Sequence, residues 1–510
     1  MPLSTSRQSA GASRSRCRYT RCACGSSRLS AGVWITSPTF WVRYTTTLWV
    51  MATRTASHLR ALRVSRSMAL RNPETPARSP MRVCLITTYY PPYHFGGDAV
   101  FVRSLARALR TRGHSVEVIH CEDAYRIRAG SDTVAPDSSD DAVVVVHRLR
   151  SRWGPLSPLV TQQTGRPGLK HRELARLLDR PFDVVNFHNI SLVGGPGVLQ
   201  MARAPVRLFS LHEHWLLCPT HTFWKNGQEA CQLRECVRCS LRSGIPPQLW
   251  RYTDLVQRSL EHVDALIAPS AYTARRHAEA GIAGIRLLPT FADLQVAERE
   301  YAPPARPRFV FAGRVTASKG IDGLVETFSR LPQFDLDVVG LGDLLEPLRQ
   351  RYARCGWIRF LGHAPHADMV RHYRDATAMI LPSLAPEVFP LCVLEAFACS
   401  TPAIVRDAGG APEAVAASGA GFVYRNEGEL LDAVGRLAAD RELRRRLGDR
   451  ARAAFLASYT DERYLDGYLA LVHEILDAKR LRGGAASTSD RVGRTPVGRA
   501  GAAVGDGRLP

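Results

Sequence analysis

The chain predicts an α/β protein of two doubly wound domains, and three observations carry that prediction. From Met81 onward, short apolar runs alternate with stretches of helical period. Turn residues, Gly above all, follow many of these runs. A proline-rich segment at 295–307, with Pro303, Pro304 and Pro307, divides the series in two. Apolar strands alternating with helices form parallel sheets covered on both faces. A length of 510 residues also exceeds one ordinary core. Two Rossmann-like domains facing across a cleft are the economical arrangement.

The first domain is expected over 81–294. Residues 83–87 read as its first strand, followed by the loop Tyr89-Tyr90-Pro91-Pro92-Tyr93-His94-Phe95-Gly96-Gly97. Residues 99–111 read as a helix with Val102, Leu105, Ala106 and Leu109 on one face, closed by Gly113. Further strands are expected at 116–120, 143–147, 184–188, 206–211 and 265–269. After the linker, the second domain (308–455) opens on a strand at 309–312. It continues through 336–339, 358–361, 378–381 and 403–405. A helix at 456–482 is expected to pack back on the first domain. In such sheets ligands bind beyond the carboxyl ends of the strands. Gly96-Gly97, Gly313-Arg314, Gly340-Leu341-Gly342, Gly362 and Glu387 each stand just after a strand. They are therefore expected to converge on the cleft.

The formal charge of +21 is unevenly placed. Residues 1–80 hold 13 Arg, no Lys and one acid, Glu74, a net of +12, so the other 430 residues carry +9. No basic stripe is interleaved with aromatics, which argues against a nucleic-acid partner. Residues 1–80 show no sustained period and read as a disordered or mis-assigned extension, with Met81 or Met68 as the true start. Their Arg- and Ser-rich, acid-poor composition also mimics a transit peptide. The tail 483–510 is Gly-, Ala- and Arg-rich and reads as disordered. No run approaches the ~18 apolar residues of a membrane span. With no signal peptide recognisable, a reducing cytoplasm is the expected compartment.

The most informative pair is Glu387 and Glu395, in Pro386-Glu387-Val388-Phe389-Pro390-Leu391-Cys392-Val393-Leu394-Glu395. The first carboxylate falls in a loop and the second about a turn into a helix. The helix N-terminus between them is a ready anion site. Two acceptors for hydroxyls flanking a phosphate cradle suit a nucleotide-sugar. Gly313-Arg314-Val315-Thr316-Ala317-Ser318-Lys319-Gly320 adds a planar fork and a point charge for a diphosphate. Ordinary loop charges are the alternative for Arg314 and Lys319 taken alone. His212 and His188 each end an apolar run. A structural histidine is the default for either, and their place at the cleft favours a role there. Cys218, Cys231, Cys236 and Cys239 include the knuckle spacing Cys236-Val237-Arg238-Cys239. Four thiolates would close a tetrahedral zinc site, and free surface-loop thiols are the other reading.

Gly313-Arg314 with Lys319-Gly320, then Glu387 and Glu395, then Ala408-Gly409-Gly410-Ala411-Pro412-Glu413 follow the signature order of glycosyltransferase family 4. Over about residues 81–475 the chain resembles these retaining enzymes of GT-B type, and the cysteine loop resembles that of a subset of them. The resemblance implies that Arg314 and Lys319 bind the donor diphosphate, Glu387 the transferred sugar's hydroxyls and Glu395 the ribose. It places Gly313 and the backbone amides near Phe389 and Leu391 at sugar and phosphate, Gly97 opposite the phosphate, and the base near Gly342 and His363. His212 matches the histidine near the reacting sugar; His188 is not carried over from the family, and its place at a strand end alone suggests that it faces the acceptor. The implied reaction is retaining, hexosyl-transferring and metal-independent, from a UDP- or GDP-type donor to a glycan or lipid-linked acceptor. Polysaccharide or lipopolysaccharide-type assembly is the implied pathway, with zinc at most structural. Two departures stand out: Pro390 lacks an N–H where Gly is common, and Asp98 follows Gly97.

Arg103, Arg107 and Arg110, with Arg112 just beyond, suggest a basic helix face. Peripheral contact with anionic lipid at the inner face of the membrane is one reading, a solvated face the other. A nucleotide-sugar epimerase or a phosphorylase is an alternative enzyme. The first should lack the 313–319 and 408–413 pairing, and no lysine here has a pyridoxal phosphate context. A catalytically silent glycan- or nucleotide-binding protein is the alternative outside enzymes.

Overall fold

The computed structural model describes residues 79–129, 143–232, 234–294, 296 and 306–492. The expectations for the N-terminal extension, for most of the 295–307 linker and for the last 18 residues lie outside the described residues. Both sheets belong to one compact unit.

The first sheet comprises β1 (Arg82–Ile86), β2 (Ser115–Cys121), β3 (Val145–Leu149), β4 (Val184–Phe187) and β5 (Val206–Ser210). A two-residue hairpin, β6 (Trp224–Lys225) with β7 (Glu229–Ala230), precedes β8 (Ala265–Ala268) and β9 (Ile285–Leu287). The sheet order is β3-β2-β1-β4-β5-β8-β9, and every pairing in it is parallel. Its helices are α1 (Gly97–Thr111), α2 (Glu122–Ala129), α3 (Leu156–Thr164), α4 (His171–Leu178), α5 (Cys236–Arg242), α6 (Leu255–Leu260) and α7 (Ala271–Ala278). Val83, Cys84, Leu85 and Ile86 are all buried. A parallel strand covered on both faces needs such an unbroken apolar run. In α1 the buried Val102, Leu105, Ala106 and Leu109 form the stripe that meets the sheet.

The second sheet holds β10 (Arg308–Ala312), β11 (Asp335–Val339), β12 (Ile358–Gly362), β13 (Ala378–Leu381), β14 (Ala403–Arg406) and β15 (Gly421–Tyr424). Its order is β12-β11-β10-β13-β14-β15, again parallel throughout. Around it lie α8 (Ile321–Ser329), α9 (Leu345–Arg351), α10 (His366–Arg374), α11 (Leu391–Ala398), α12 (Ala411–Ser418), α13 (Glu427–Ala439) and α14 (Arg441–Ser458). Asn426 caps α13 by accepting from the Glu429 amide, and the Glu429 carboxylate reaches back to the Arg425 amide.

The final helix, α15 (Asp461–Val492), runs along the first domain. Its Tyr464, Leu465, Tyr468 and Val472 join the core beneath β1 and α1. Lys479 Nζ meets Asp264 at 2.6 Å and donates to the Pro205 carbonyl at 2.7 Å. The helical backbone continues ten residues past position 482, where the sequence reading ended it. The polar, small-residue composition after Gly483 signals no helix, and continuity with the packed part carries the backbone on. Two edge strands, β9 and β15, had no sequence signal, being three and four residues long. Strand β3 begins at Val145 rather than 143.

Each sheet reverses direction of winding beside its central strand, between β1 and β4 and between β10 and β13. The crevices at these switch points lie at the carboxyl ends, where ligands bind in doubly wound sheets. The domains touch through a carboxylate cap. Glu413, in the first turn of α12, accepts from the Ala271 and Tyr272 amides at 2.7 and 2.6 Å. These are two of the orphan donors at the N-terminus of α7.

Candidate active site

The loop after β10 turns at Gly313 and passes through Arg314 to Lys319. Gly340, after β11, packs on it so closely that a Cβ would fall 1.8 Å from the Gly313 carbonyl oxygen. Gly342 is forced in the same way, with a Cβ 2.2 Å from the Val315 carbonyl oxygen. Both glycines therefore have a packing reason beyond any ligand.

Lys319 Nζ donates to Glu387 Oε1 at 2.5 Å. Ser383 Oγ donates to the same oxygen. Burial alone would raise the Glu387 pKa. The Lys319 charge and hydrogen bond, the Ser383 hydroxyl and the Arg314 charge outweigh it and hold the carboxyl below its ordinary value. Arg314 is exposed at the mouth of this site. The loop carrying Glu387 is braced by the 408–413 segment: the Gly410 amide donates to the Glu387 carbonyl at 2.7 Å.

Pro390 is the N-cap of α11, not its first helical residue. Its missing N–H falls where no helical bond is due. Leu391 opens the helix, and its side chain lies over Gly97, where a Cβ would come within 3.2 Å. Gly97 is itself the first residue of α1. Two helix N-termini, one from each domain, thus meet beside Glu387, and their partial positive charges favour an anion there. Phe389 turns its ring toward Tyr459, centroids 5.9 Å apart. In the second turn of α11, Glu395 accepts from the Tyr373 hydroxyl at 2.8 Å. Tyr373 comes from α10 and is fully buried.

Across the cleft, His188 Nδ1 and His212 Nε2 share a hydrogen bond of 2.8 Å. Their rings stack, centroids 5.1 Å apart and 14° from parallel. Burial lowers the His212 pKa to about 4, against the raising charge of Asp98. His188 is held well below its ordinary value by burial first and by His212 second. At neutral pH the pair is uncharged and acts by hydrogen bonding. Asp98 in turn accepts from Asn189 Nδ2 at 3.1 Å. His363 is exposed after β12, and burial, the largest cause, lowers the pKa of His94 in the first domain.

The cysteine loop follows His212 directly. Glu213 Oε2 and His221 Nδ1 are 2.7 Å apart. The Asn226 amide approaches Cys239 Sγ at 3.3 Å, and the Cys231 amide donates to the Phe223 carbonyl. Burial raises the Cys231 pKa, as would charge on Cys218, Cys236 and Cys239. As placed they do not fit a metal ion: among the described residues no three His, Cys, Asp or Glu side chains are arranged to hold one.

Two family profiles tile most of the chain: Glycosyltransferase Family 4 matches residues 95–296, and Glycosyl transferases group 1 matches residues 297–454. The chain belongs to this glycosyltransferase family. It is 27% identical over 424 residues to the D-inositol 3-phosphate glycosyltransferase of Arthrobacter sp. (strain FB24), covering 76% of this chain and 93% of that protein. It is 27% identical over 362 residues to a glycogen synthase of Mycobacterium tuberculosis (strain ATCC 25618 / H37Rv), covering 66% and 80%. Sucrose-phosphate synthase from Thermosynechococcus elongatus superposes with a TM-score of 0.60 at 21% identity, covering 78% of this chain and 100% of that one. Anabaena HepE, solved in complex with UDP, gives 0.52 at 17% identity, covering 77% and 100%. The fold is that of the GT-B enzymes.

In this glycosyltransferase the structure brings Gly97, Arg314, Lys319, Glu387, Leu391 and Glu395 to the cleft. Phe389 contributes backbone there while its ring packs elsewhere. Sequence reasoning missed Ser383 and Tyr373, which orient the two glutamates. It also missed Glu413 as the cap between domains.

Proposed function

We propose that this glycosyltransferase is a retaining, metal-independent hexosyltransferase. It moves a sugar from a nucleoside diphosphate donor to a glycan or lipid-linked acceptor in polysaccharide or lipopolysaccharide-type assembly. The observation that carries the reading is the Lys319–Glu387 pair beside the facing N-termini of α1 and α11. Lys319, Arg314 and the free amides of α11 offer donors to a diphosphate, whose negative charge grows as the bond to the sugar breaks. Glu387 takes a sugar hydroxyl once the diphosphate draws Lys319 away. Glu395, steadied by Tyr373, accepts from the ribose. Neutral His212 donates to or accepts from a sugar hydroxyl through its outer edge, its tautomer set by His188.

Retention requires the acceptor oxygen to arrive on the leaving-group face. There the departing phosphate oxygen takes the acceptor's proton, so no protein base is needed. The donor is of UDP or GDP type, and the base is read near His363. A helix long and apolar enough to cross a membrane is absent among the described residues. The proposed place of work is the cytoplasm, with an acceptor presented at the membrane's inner face. A thermal-shift screen against UDP, GDP and their sugars tests the reading, run on wild type, Lys319→Ala and Glu387→Ala. Wild type is expected to be stabilised by nucleotide and nucleotide sugar; Lys319→Ala should lose most of both, and Glu387→Ala only the increment that the sugar adds. No nucleotide response, or equal responses in all three proteins, overturns it.

A further inference from the structure

Helix α3 is built inside out. Its buried residues are Ser157, Pro158, Thr161 and Gln162. Beneath them Lys170 is 2% exposed. Its Nζ donates to Ser157 Oγ at 3.1 Å and to Thr161 Oγ1 at 2.9 Å. Outward, Leu156 is 54% exposed and Leu159 40%, and Trp153 just before the helix is 50% exposed. A helix facing water shows the reverse, apolar inward and polar outward. Burying an ammonium is unfavourable even with two hydroxyl partners. This helix nevertheless places its polar side within the protein and its leucines outside.

The turn Leu249–Tyr252 extends the same face. Trp250 points inward and donates from Nε1 to the Gln162 carbonyl at 2.8 Å. Arg251 is held over the rings of Trp215 and Trp250, at 5.0 and 4.6 Å. With those two residues pinned, Leu249 and Tyr252 project outward, 69% and 66% exposed. Gln162 Nε2 donates to the Pro246 carbonyl at 3.3 Å, which ties the approach to this turn onto α3.

The charge along this face is mainly basic. From Val143 to Arg172 the sequence contains no Asp or Glu, and Arg150, Arg152, Arg166 and Arg172 are exposed. The Arg152 guanidinium lies over the Trp153 ring at 5.2 Å. The acid beyond the turn, Asp254, is already paired with Arg258 at 2.7 Å.

We propose that α3 and the turn Leu249–Tyr252, with the flanking arginines, dock this protein on an anionic lipid surface. Exposed leucines insert among acyl chains, Trp and Tyr rings sit at headgroup level, and arginines meet lipid phosphates. A second copy of the chain fits poorly, because the same patch would oppose its own positive charge. The basic face of α1 suggested by the sequence is less suited. Arg103 Nε is buried, and Arg112 pairs with Asp466 of α15 at 3.1 Å.

The docking face borders the cleft: the Ser151 amide donates to Asp123 Oδ2 at 2.7 Å, just beyond the carboxyl end of β2. Presentation of a lipid-linked acceptor to the cleft rests on the proposed transferase activity; the docking itself does not.

Co-sedimentation of the full chain with vesicles tests the surface without any turnover. One set is phosphatidylcholine alone, the other equal parts phosphatidylcholine and phosphatidylglycerol. Wild type is expected to pellet with the mixed vesicles and stay largely in solution with phosphatidylcholine. Leu156→Ser and Leu159→Ser should each lower the partition coefficient roughly tenfold, while Leu431→Ser, on exposed α13, leaves it unchanged. Thermal unfolding of each variant checks the fold, and Trp153→Phe should remove quenching by brominated phosphatidylglycerol. Wild type that ignores the mixed vesicles, or leucine variants that pellet equally, overturns the proposal. So does light scattering that shows a wild-type dimer and monomeric leucine variants, since the face would then join two copies. Nucleotide binding unaffected by these variants would leave the transferase reading standing whichever way the vesicles fall.

Discussion

The two sides of the cleft solve the same problem with opposite electrostatics. On the second domain, Lys319, Arg314, Glu387 and Ser383 form a charged network, with the Glu387 carboxyl held below its ordinary pKa. On the first domain, His188 is buried and His212 half-buried, and the two stacked rings are neutral. The difference teaches where charge is wanted. A leaving diphosphate needs cations and dipoles aimed at it. A sugar hydroxyl needs hydrogen bonds whose polarity does not change with modest shifts in pH.

The largest break in this comparison is expected from Lys319→Ala. It removes the cation proposed for the diphosphate and leaves Glu387 with only the Ser383 hydroxyl and the Arg314 charge. Steady-state kinetics should show kcat/KM down about a thousandfold, by analogy with other losses of a transition-state donor. Next, His212→Ala should lower kcat about tenfold to a hundredfold, with His212→Asn recovering part of it. A full rescue of Lys319→Ala by pH, or an unaffected His212→Ala, would erase the proposed contrast.

Acid sharpens it further. His188 and His214 are buried with pKa values pushed down by burial, His214 to about 3. Between those values and the ordinary one near 6.5, the unfolded chain binds more protons than the folded one. Stability is therefore full above pH ~6.5 and declines as pH falls, by up to about 1.4 kcal/mol per pH unit for each such histidine. Melting temperature measured from pH 7.5 to 5 should fall, and His214→Phe should flatten the slope. Glu387 works in the same direction at lower pH: its contribution declines from the ordinary carboxyl pKa downward and is gone once pH has fallen through its depressed one. The smallest effect is expected from Tyr373→Phe: donor KM up several-fold with kcat nearly unchanged, from one hydrogen bond of ~1 kcal/mol to Glu395.

Much of this architecture was legible in the sequence because its signals are local. An apolar run such as Val83–Ile86 announces a buried parallel strand, and a Gly or acid just after it announces the cleft. Glu387, Lys319 and Glu395 were visible for that reason. Partners far along the chain were not. Tyr373 lies 22 residues from Glu395, and Glu413 lies 142 from Ala271. Neither pairing has a periodic or spacing signature. The inverted burial of α3 was equally hidden, since Leu156, Ser157 and Leu159 suit either orientation until Lys170 is seen beneath them.

The central claim is that a donor diphosphate takes Lys319 away from Glu387. Isothermal titration of UDP, GDP and the corresponding nucleotide sugars into wild type, Lys319→Ala and Glu387→Ala tests it most directly. Lys319→Ala is expected to weaken binding of the free diphosphate at least ~tenfold. Glu387→Ala should bind the free diphosphate as well as wild type or better, yet lose the added affinity of the attached sugar. Equal diphosphate affinity in wild type and Lys319→Ala, or a sugar contribution undiminished in Glu387→Ala, would contradict it.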